Sequence, residues 1–573
     1  MTDDPLARIH MQVMWNRLIS VVEEQAQALL RTAFGSVARE AGDLSAGVYD
    51  LKGRMLAQAV TGTPGHVNSM AAAVAHFLEK FPIEEMKEGD VYTTNDPWKG
   101  TGHLFDFVVV TPAFLDGRLV ALLASTCHLV DVGGRGFTAD ARSVYEEGIS
   151  VPHTRLFEGG RLNEPLIELI ANNVREPIEV KGDLLALVSC NDTGCRRMID
   201  MMREFEMASI DDLAEHILFN SHKAMVEAIG RVPNGNYDAE MTLDGYEEPV
   251  RLKLRMIVED ERIVLDYAGS SSASGFGINS PKCYTDAYSI FGLKCIIGPE
   301  IPNNAGSLAP MIVEAEAGSI VHPSHPSPVT ARHVVGQMLP DIVFGCLDQA
   351  IEGGVQAESA GSIWVLAASG GTREGNSEGT FNTMSVSVGG VGARPSKNGL
   401  NSTAFPSGVG AIPVEVTEAS SPLVFRRREL LPDSAGAGTY RGGFAQVVEV
   451  ESRASLPFTV SAATFDRLDN PARGRHGGKP GSPGAFGLVG QEPFRGKIVQ
   501  TVPPGERLYA ELPGGGGFGD PLARDAAEVA DEVRAGLVSP IAARDVYGVV
   551  VDEAGSLDDA GTKKLRASAT AST

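Results

Sequence analysis

A chain of 573 residues exceeds what one ordinary core supports, so at least two packed regions or one large unit are expected. Its formal net charge of −24 repels nucleic acid and anionic membrane surfaces, which excludes partners gripped through a general positive field. The 65 glycines and 33 prolines call for many turns and, with them, substantial β structure.

The acidic start, Met1 to Pro5, has neither the basic nor the apolar part of a secretory signal. Nowhere do about 18 apolar residues run together, so a cytoplasmic protein without a membrane span is expected. Residues 6–33 place apolar side chains at helical spacing, with Glu23 and Glu24 on the polar side, and predict one long amphipathic helix. Residues 46–58 read as strand, Lys52-Gly53 turn and strand, and residues 68–81 as an Ala-rich helix that Pro82 helps to stop. A β-prone run around 108–110 and the turn signal Asp116-Gly117 predict a hairpin that brings the segments near 103 and 128 side by side. Residues 163–230 are mainly helical in pattern, with a start signal at Ser209-Ile210-Asp211-Asp212. From about 234 the pattern changes to short β-prone runs that last to about 520, followed by two short helices and a final strand. The last residues are small and polar. The fold class expected is therefore α+β. A mixed α/β region, 5–233, carries the candidate metal site; a β-rich region, 234–523, a short C-terminal helical segment and strand, 524–552, and a disordered tail, 560–573, follow.

The chemistry concentrates in two stretches. Asn95 to Asp106 contains His103 and Asp106, and His128 to Gly134 contains His128 and Asp131, so each half offers a His and an Asp three residues apart. These are donors that Zn, Mn or Fe accepts at neutral pH. Twice H-x-x-D is equally what satisfied core histidines and turn aspartates produce, and the flanking Gly100, Gly102, Gly133 and Gly134 fit close backbone approach or ordinary turns. Cys127 precedes His128, but strand alternation directs its side chain away; the six scattered cysteines, without a C-x-x-C pair, read as reduced thiols. Neither Gly514 to Gly517 nor the run 436–443 has the spacing of a phosphate loop, and no G-x-S-x-G or H-E-x-x-H pattern occurs. The His-rich stretch 322–333 reads as an extended loop because of its prolines.

The runs GDVYTTNDPWKGTGHLFD (89–106), CHLVDVGG (127–134), EEGISVP (146–152), DYAGSSSASGFGIN (266–279), PDSAGAGTYRGG (432–443) and PGGGGFGDPLARD (513–525) resemble the hydantoinase B/oxoprolinase family, in order, from about residue 5 to residue 550. That family includes N-methylhydantoinase B-type subunits and lactam-opening enzymes, with related acetone and acetophenone carboxylase subunits. The resemblance implies that His103, Asp106 and His128 hold a divalent metal and that ATP with Mg is held by a separate hydantoinase A-type subunit of a hetero-oligomer. The family's usual His-His-x-Asp reads His128-Leu129-Val130-Asp131 here, so Leu129 is no ligand. Asp131 is either a fourth ligand or the group that orients His128. His66, in a family-like segment, either transfers protons or fixes the start of the Ala-rich helix, and Asp43 and Asp50 are expected to be structural.

The function implied is the metal-binding subunit of an ATP-dependent cyclic amide hydrolase that opens a hydantoin, oxoproline or lactam ring. Two alternatives stand beside it: a subunit of an ATP-dependent ketone carboxylase that uses bicarbonate, and a non-catalytic scaffold for the ATPase subunit.

Overall fold

A computed structural model describes residues 5–60, 63–361, 363–370, 380–552 and 554–570. The fold is mixed α+β and divides into two compact units that are discontinuous in sequence. Unit 1 comprises Met1–Glu240, Leu252–Cys346 and Ser407–Ile412; unit 2 comprises Met241–Arg251, Leu347–Pro406 and Pro413–Thr573. The contiguous boundary expected at 233/234 is thus not where the packing divides, because helical and strand segments between 252 and 346 belong with the N-terminal part.

Unit 1 begins with α1 (Pro5–Thr32) and α2 (Ser36–Arg39), then β1 (Leu44–Tyr49), β2 (Met55–Gln58), α3 (Pro64–Lys80), β3 (Val91–Thr94), β4 (Asp106–Leu115) and β5 (Arg118–His128). After these come α4 (Val144–Glu147), β6 (Thr154–Glu158), β7 (Arg161–Leu162), α5 (Glu164–Ala171), α6 (Pro177–Glu204) and α7 (Asp211–Ile229). The seven strands form one sheet in the order β2-β1-β5-β4-β3-β6-β7. The expected hairpin is present: β4 and β5 pair antiparallel, and Asp116, with φ of 49°, and Gly117, with φ of 78°, turn the chain between them.

Both faces of this sheet are covered, which is why β4 and β5 read as nearly continuous apolar runs. Val108, Val110, Leu122 and Ala124 pack under α3 with Val67, Met70, Val74 and Phe77. On the other face Gln25 of α1 donates to Ala124 O and to Asn191 of α6, and Ser125 donates to Leu187 O. Each fully buried Val, Leu or Phe here contributes about 1.5–3 kcal/mol. Over 106–110 and 122–128, even-numbered side chains therefore face α3 and odd-numbered ones face α6; the irregularity between Ala113 and Phe114 breaks this parity nearer the turn, where Leu119 packs on the α3 side. The signal at Ser209 is displaced by one residue: α7 is capped by Ile210 without a side-chain bond, and Ser209 Oγ accepts only from Asp211 N at 3.4 Å.

The remaining segments are β8 (Gly235–Leu243), β9 (Val250–Glu259), β10 (Arg262–Asp266), α8 (Lys282–Ile297), α9 (Ala305–Leu308), β11 (Met311–Glu314), α10 (His333–Gly336) and α11 (Leu339–Ala350). Their strands form a sheet in the order β11-β10-β9-β8, and α8 packs against α3.

Unit 2 contains β12 (Trp364–Gly370), β13 (Phe381–Ser387), α12 (Val414–Ser420), β14 (Leu423–Leu430), β15 (Gln446–Ser452), β16 (Phe458–Ser461), β17 (Ala485–Leu488), β18 (Val499–Val502) and β19 (Arg507–Glu511). Two four-stranded sheets, β13-β12-β16-β18 and β14-β15-β19-β17, share one apolar core in which Trp364 stacks on Phe465 at 4.3 Å. Helices α13 (Ala526–Arg534), α14 (Pro540–Asp545) and α15 (Asp559–Thr570) end the chain. The strand expected near 550 is reduced to a single bridge between Val551 and Leu557. The tail expected to be disordered from 560 is instead helical to Thr570, and Arg566 of α15 donates to Tyr547 O and Arg524 O. Small, polar composition alone suggests disorder, and that anchoring arginine overrides it; residues 571–573 lie outside the described residues.

The glycine-rich segments of unit 2 run against one another at backbone contact. Gly515 N donates to Gly443 O, Gly436 N to Gly515 O, and Gly443 N to Val391 O. A Cβ at Gly442 would stand 1.9 Å from Gly515 O, so only glycine permits the approach. The N–H groups of Gly514, Gly515, Gly516 and Gly517 donate to Ser482 O, Gly443 O, Glu358 O and Lys479 O, which leaves none of the four to cradle a phosphate.

Among the described residues no helix is long and apolar enough to cross a membrane, and all six cysteines are free thiols.

Candidate metal centre

Antiparallel pairing places Asp106, the first residue of β4, directly opposite His128, the last residue of β5. Both are even-numbered, so both project on the α3 face. Cys127 occupies the next register position opposite Phe107 and lies fully buried on the α6 face, where desolvation pushes its thiol well up. His103 lies in the loop before β4, and His66 lies in the first turns of α3. The loop is braced by Asn95, whose side chain donates to Leu104 O and Ile149 O and accepts from Val151 N.

Asp106 is the hub. Its Oδ1 lies 2.9 Å from His103 Nε2 and 3.2 Å from His128 Nδ1. Its Oδ2 accepts from Thr101 Oγ1 at 2.9 Å and Arg332 Nη2 at 2.6 Å, and lies 2.9 Å from His66 Nε2. All of these side chains are buried. Burial alone would raise the Asp106 carboxyl, but His103, His66 and Arg332 outweigh it and hold it well below the usual carboxylate range. Burial also pulls His66 down, yet the Asp106 and Asp43 charges win and its net shift is upward. For His103, burial and then the Arg332 guanidinium dominate and push the imidazole down to about 4.

His103 Nδ1 is 2.9 Å from the Thr330 carbonyl, which can only accept, so Nδ1 carries the proton. His103 Nε2 faces Asp106 Oδ1 at 2.9 Å, a separation across which a proton or a metal ion is shared. Separations of 2.9 and 3.2 Å are those between neighbouring ligands of one ion bound at about 2.1 Å. His103, Asp106 and His128 form a group that could hold a metal ion, with ligand atoms within 4.8 Å of one another, and among the described residues it is the one such group found.

Aromatic rings wall the site. Phe105 stacks on His128 at 5.3 Å, Phe137 meets both edge-on, and Arg332 lies 4.0 Å over the Tyr284 ring of α8. Gly102, with φ of +101°, is pressed against Arg332: a Cβ there would lie 2.6 Å from Arg332 Cδ and Nε.

The structure brings His66, His103, Asp106 and His128 together and leaves Asp131 apart. Asp131 Oδ1 accepts from Gly133 N and Arg175 Nη1, and Oδ2 from Arg175 N, with no bond to His128, whose Nδ1 faces Asp106 instead. Asp131 thus shapes the turn after β5 and neither ligates with the group nor orients His128. Asp43 accepts from Thr63 and lies 3.5 Å from His66 Nδ1, while Asp50 holds the β1–β2 turn through Arg54. Sequence reasoning missed Arg332 and Thr101. Arg332 lies in the stretch 322–333, whose histidines draw the eye, and 226 residues separate it from Asp106, so no local spacing announces the pair. Those histidines form no second cluster: His322 meets Ala315 O, His325 packs on Trp98, and His333 stacks on Phe137.

A family model described as Hydantoinase B/oxoprolinase matches residues 7–521. The B-type subunit of a putative D-/L-hydantoinase from Pseudomonas sp. (strain NS671) is 26% identical, over 97% of this chain and 98% of its own length. The beta chain of the caprolactamase of Pseudomonas jessenii is 28% identical, over 99% of each. The crystal structure of the ATP-dependent caprolactamase from the same organism superposes with a TM-score of 0.90 at 27% identity, covering 99% of this chain and all of that one. Acetone carboxylase, in a nucleotide-free structure, superposes with a TM-score of 0.88 over 100% of this chain and 84% of that chain; at 19% identity this likeness concerns the fold alone.

Proposed function

Because this chain belongs to the hydantoinase B/oxoprolinase family, we propose that it is the metal-binding subunit of an ATP-dependent enzyme that hydrolyses a cyclic amide in a hetero-oligomer. In this reading ATP and Mg are held by a separate hydantoinase A-type subunit, and the complex is cytoplasmic. The observation that carries the reading is the buried convergence of His103, Asp106 and His128, whose ligand atoms lie within 4.8 Å of one another. His103, Asp106 and His128 would hold Zn, Mn or Fe, and two His with one carboxylate leave positions open, as a catalytic site needs. A divalent cation there supplies Lewis-acid polarisation of a substrate carbonyl oxygen, the demand that an unreactive ring amide makes.

The chain's own residues do the rest. Arg332 and Thr101 hold Asp106 Oδ2, so the carboxylate presents Oδ1 to His103 and His128. Phe105 and Phe137 keep bulk water from the His128 side, which strengthens every charge interaction within. His66 is the proton-transfer group of the proposal: its Nε2 faces Asp106, and its buried Nδ1 makes no hydrogen bond and lies 3.5 Å from Asp43 Oδ1.

Hydrolysis is preferred to ketone carboxylation because the hydantoinase and caprolactamase names belong to relatives at 26–28% identity over nearly the full chain, whereas the carboxylase likeness is one of fold. The test is elemental analysis and turnover of the reconstituted complex, wild type against His103→Ala/His128→Ala. The double variant should lose its metal and about a thousandfold or more in turnover, the scale of several kcal/mol of lost carbonyl activation. Equal metal and equal turnover would return the scaffold reading, and labelled bicarbonate retained in a stable acid product would establish the carboxylase.

A further inference from the structure

Glu147, the last residue of α4, is 1% exposed. Its Oε1 accepts from Val329 N at 2.6 Å and Thr330 N at 2.8 Å, and Oε2 makes no hydrogen bond. A buried carboxylate is costly, and a fold that keeps one on two successive backbone N–H groups is holding that backbone in place. The backbone concerned is the one that aims the metal centre. The Thr330 carbonyl receives His103 Nδ1, and two residues on, Arg332 reaches Asp106 Oδ2 and Thr101 O. We propose that Glu147 is a positioning residue for the metal centre: it clamps the Val329–Thr330 peptide so that the Thr330 carbonyl fixes the His103 ring with Nε2 towards Asp106. This inference rests on the reading of His103, Asp106 and His128 as ligands.

The segments flanking the clamp are tied independently. Asn279 donates to Pro328 O at 2.8 Å, and Ala331 N donates to Gly277 O at 2.7 Å. Loss of Glu147 therefore leaves the course of the loop and acts on the orientation of the 330 carbonyl. A bond that sets the tautomer and direction of a metal-binding imidazole typically carries tenfold to a hundredfold of metal affinity. Glutamine keeps an acceptor at Oε1 and should keep the clamp; alanine removes it.

The experiment titrates Zn²⁺ alone into the metal-stripped full-length chain, with thermal unfolding measured on the same samples. Glu147→Ala should bind Zn²⁺ about tenfold to a hundredfold more weakly at a similar stripped-state melting temperature, and Glu147→Gln should bind as wild type does. Wild-type affinity in Glu147→Ala overturns the proposal. His103→Ala is the control for the underlying reading: if it binds Zn²⁺ as tightly as wild type, the metal site itself is wrong. Should Glu147→Ala not fold, amide exchange in the wild type decides: the Val329 and Thr330 amides should slow on Zn²⁺ loading, and unchanged rates there overturn the clamp.

Discussion

Each unit contains a buried carboxylate surrounded by cationic or titratable groups, and the two are built to opposite ends. In unit 2, Glu358 accepts from Arg467 Nη1 at 3.1 Å and from Arg473 N at 3.0 Å and Nε at 2.6 Å. Burial would raise its carboxyl, but the Arg467 and Arg473 charges outweigh it and hold the group below the usual carboxylate range. Guanidinium groups can only donate, so that cluster is electrically closed. In unit 1, Asp106 meets Arg332, Thr101 and the His66 imidazole at Oδ2 and turns Oδ1 to two further imidazoles, those of His103 and His128. An imidazole brings a lone pair as readily as a proton, so its presence converts a closed ion network into a place with room for a further cation. Count of charges does not separate a structural network from a site; the donor or acceptor character of each partner does.

Removal of the Glu358 carboxylate is the severest perturbation of the closed network. Glu358→Ala strands the buried Arg467 and should lower unfolding stability in urea by about 3–5 kcal/mol, with metal content unchanged. Loss of metal in that variant would mean that the two networks are coupled rather than distinct.

Glu147 stands between the two, a carboxylate held by backbone N–H groups. Burial raises its carboxyl to about 7 from an ordinary 4.5. The folded state therefore holds the proton more tightly than the unfolded chain. Its contribution is fully present below about pH 4.5 and is lost as pH rises to about 7, on the order of 3 kcal/mol in all. In the metal-stripped protein Glu147→Gln should flatten that part of the stability profile and be the more stable form above pH 7; parallel profiles for variant and wild type would refute the assignment.

Smallest is the effect at Gly102, where the left-handed backbone meets Arg332. Gly102→Ala should cost about 1–3 kcal/mol in a thermal melt from strain at that residue. A neutral substitution would show that Arg332 is free to move off Asp106.

Much of the metal centre is legible in sequence because its ligands lie in one hairpin and its approach loop. The Asp116-Gly117 turn and the alternation of β4 and β5 bring Asp106 close to His128, but the register that sets the two opposite each other, rather than Asp106 opposite Cys127, comes from the irregularity between Ala113 and Phe114, which no residue pattern announces. Asp131 misleads because a His and an Asp three residues apart look alike whether the Asp serves the His or the turn that follows. Arg332 and Glu147 are invisible as contributors, since each meets its partner across 182 or more residues and only tertiary packing makes them neighbours. The same holds for the division into units: β8 and β9 carry the chain out of unit 1 and back, and no composition shift marks such a return.

The pairing of Asp106 with His128 has a consequence for how this protein can change over generations. Between them lie two strands whose residues alternate faces, with one irregularity between Ala113 and Phe114 already counted in, so loss or gain of a single residue there, unless another bulge absorbs it, puts the two ligands on opposite faces and sets a thiol where an imidazole stood. Length in this stretch is inherited with a parity: the hairpin can lengthen or shorten by matched steps and keep its chemistry, while an odd step abolishes it without altering a single ligand.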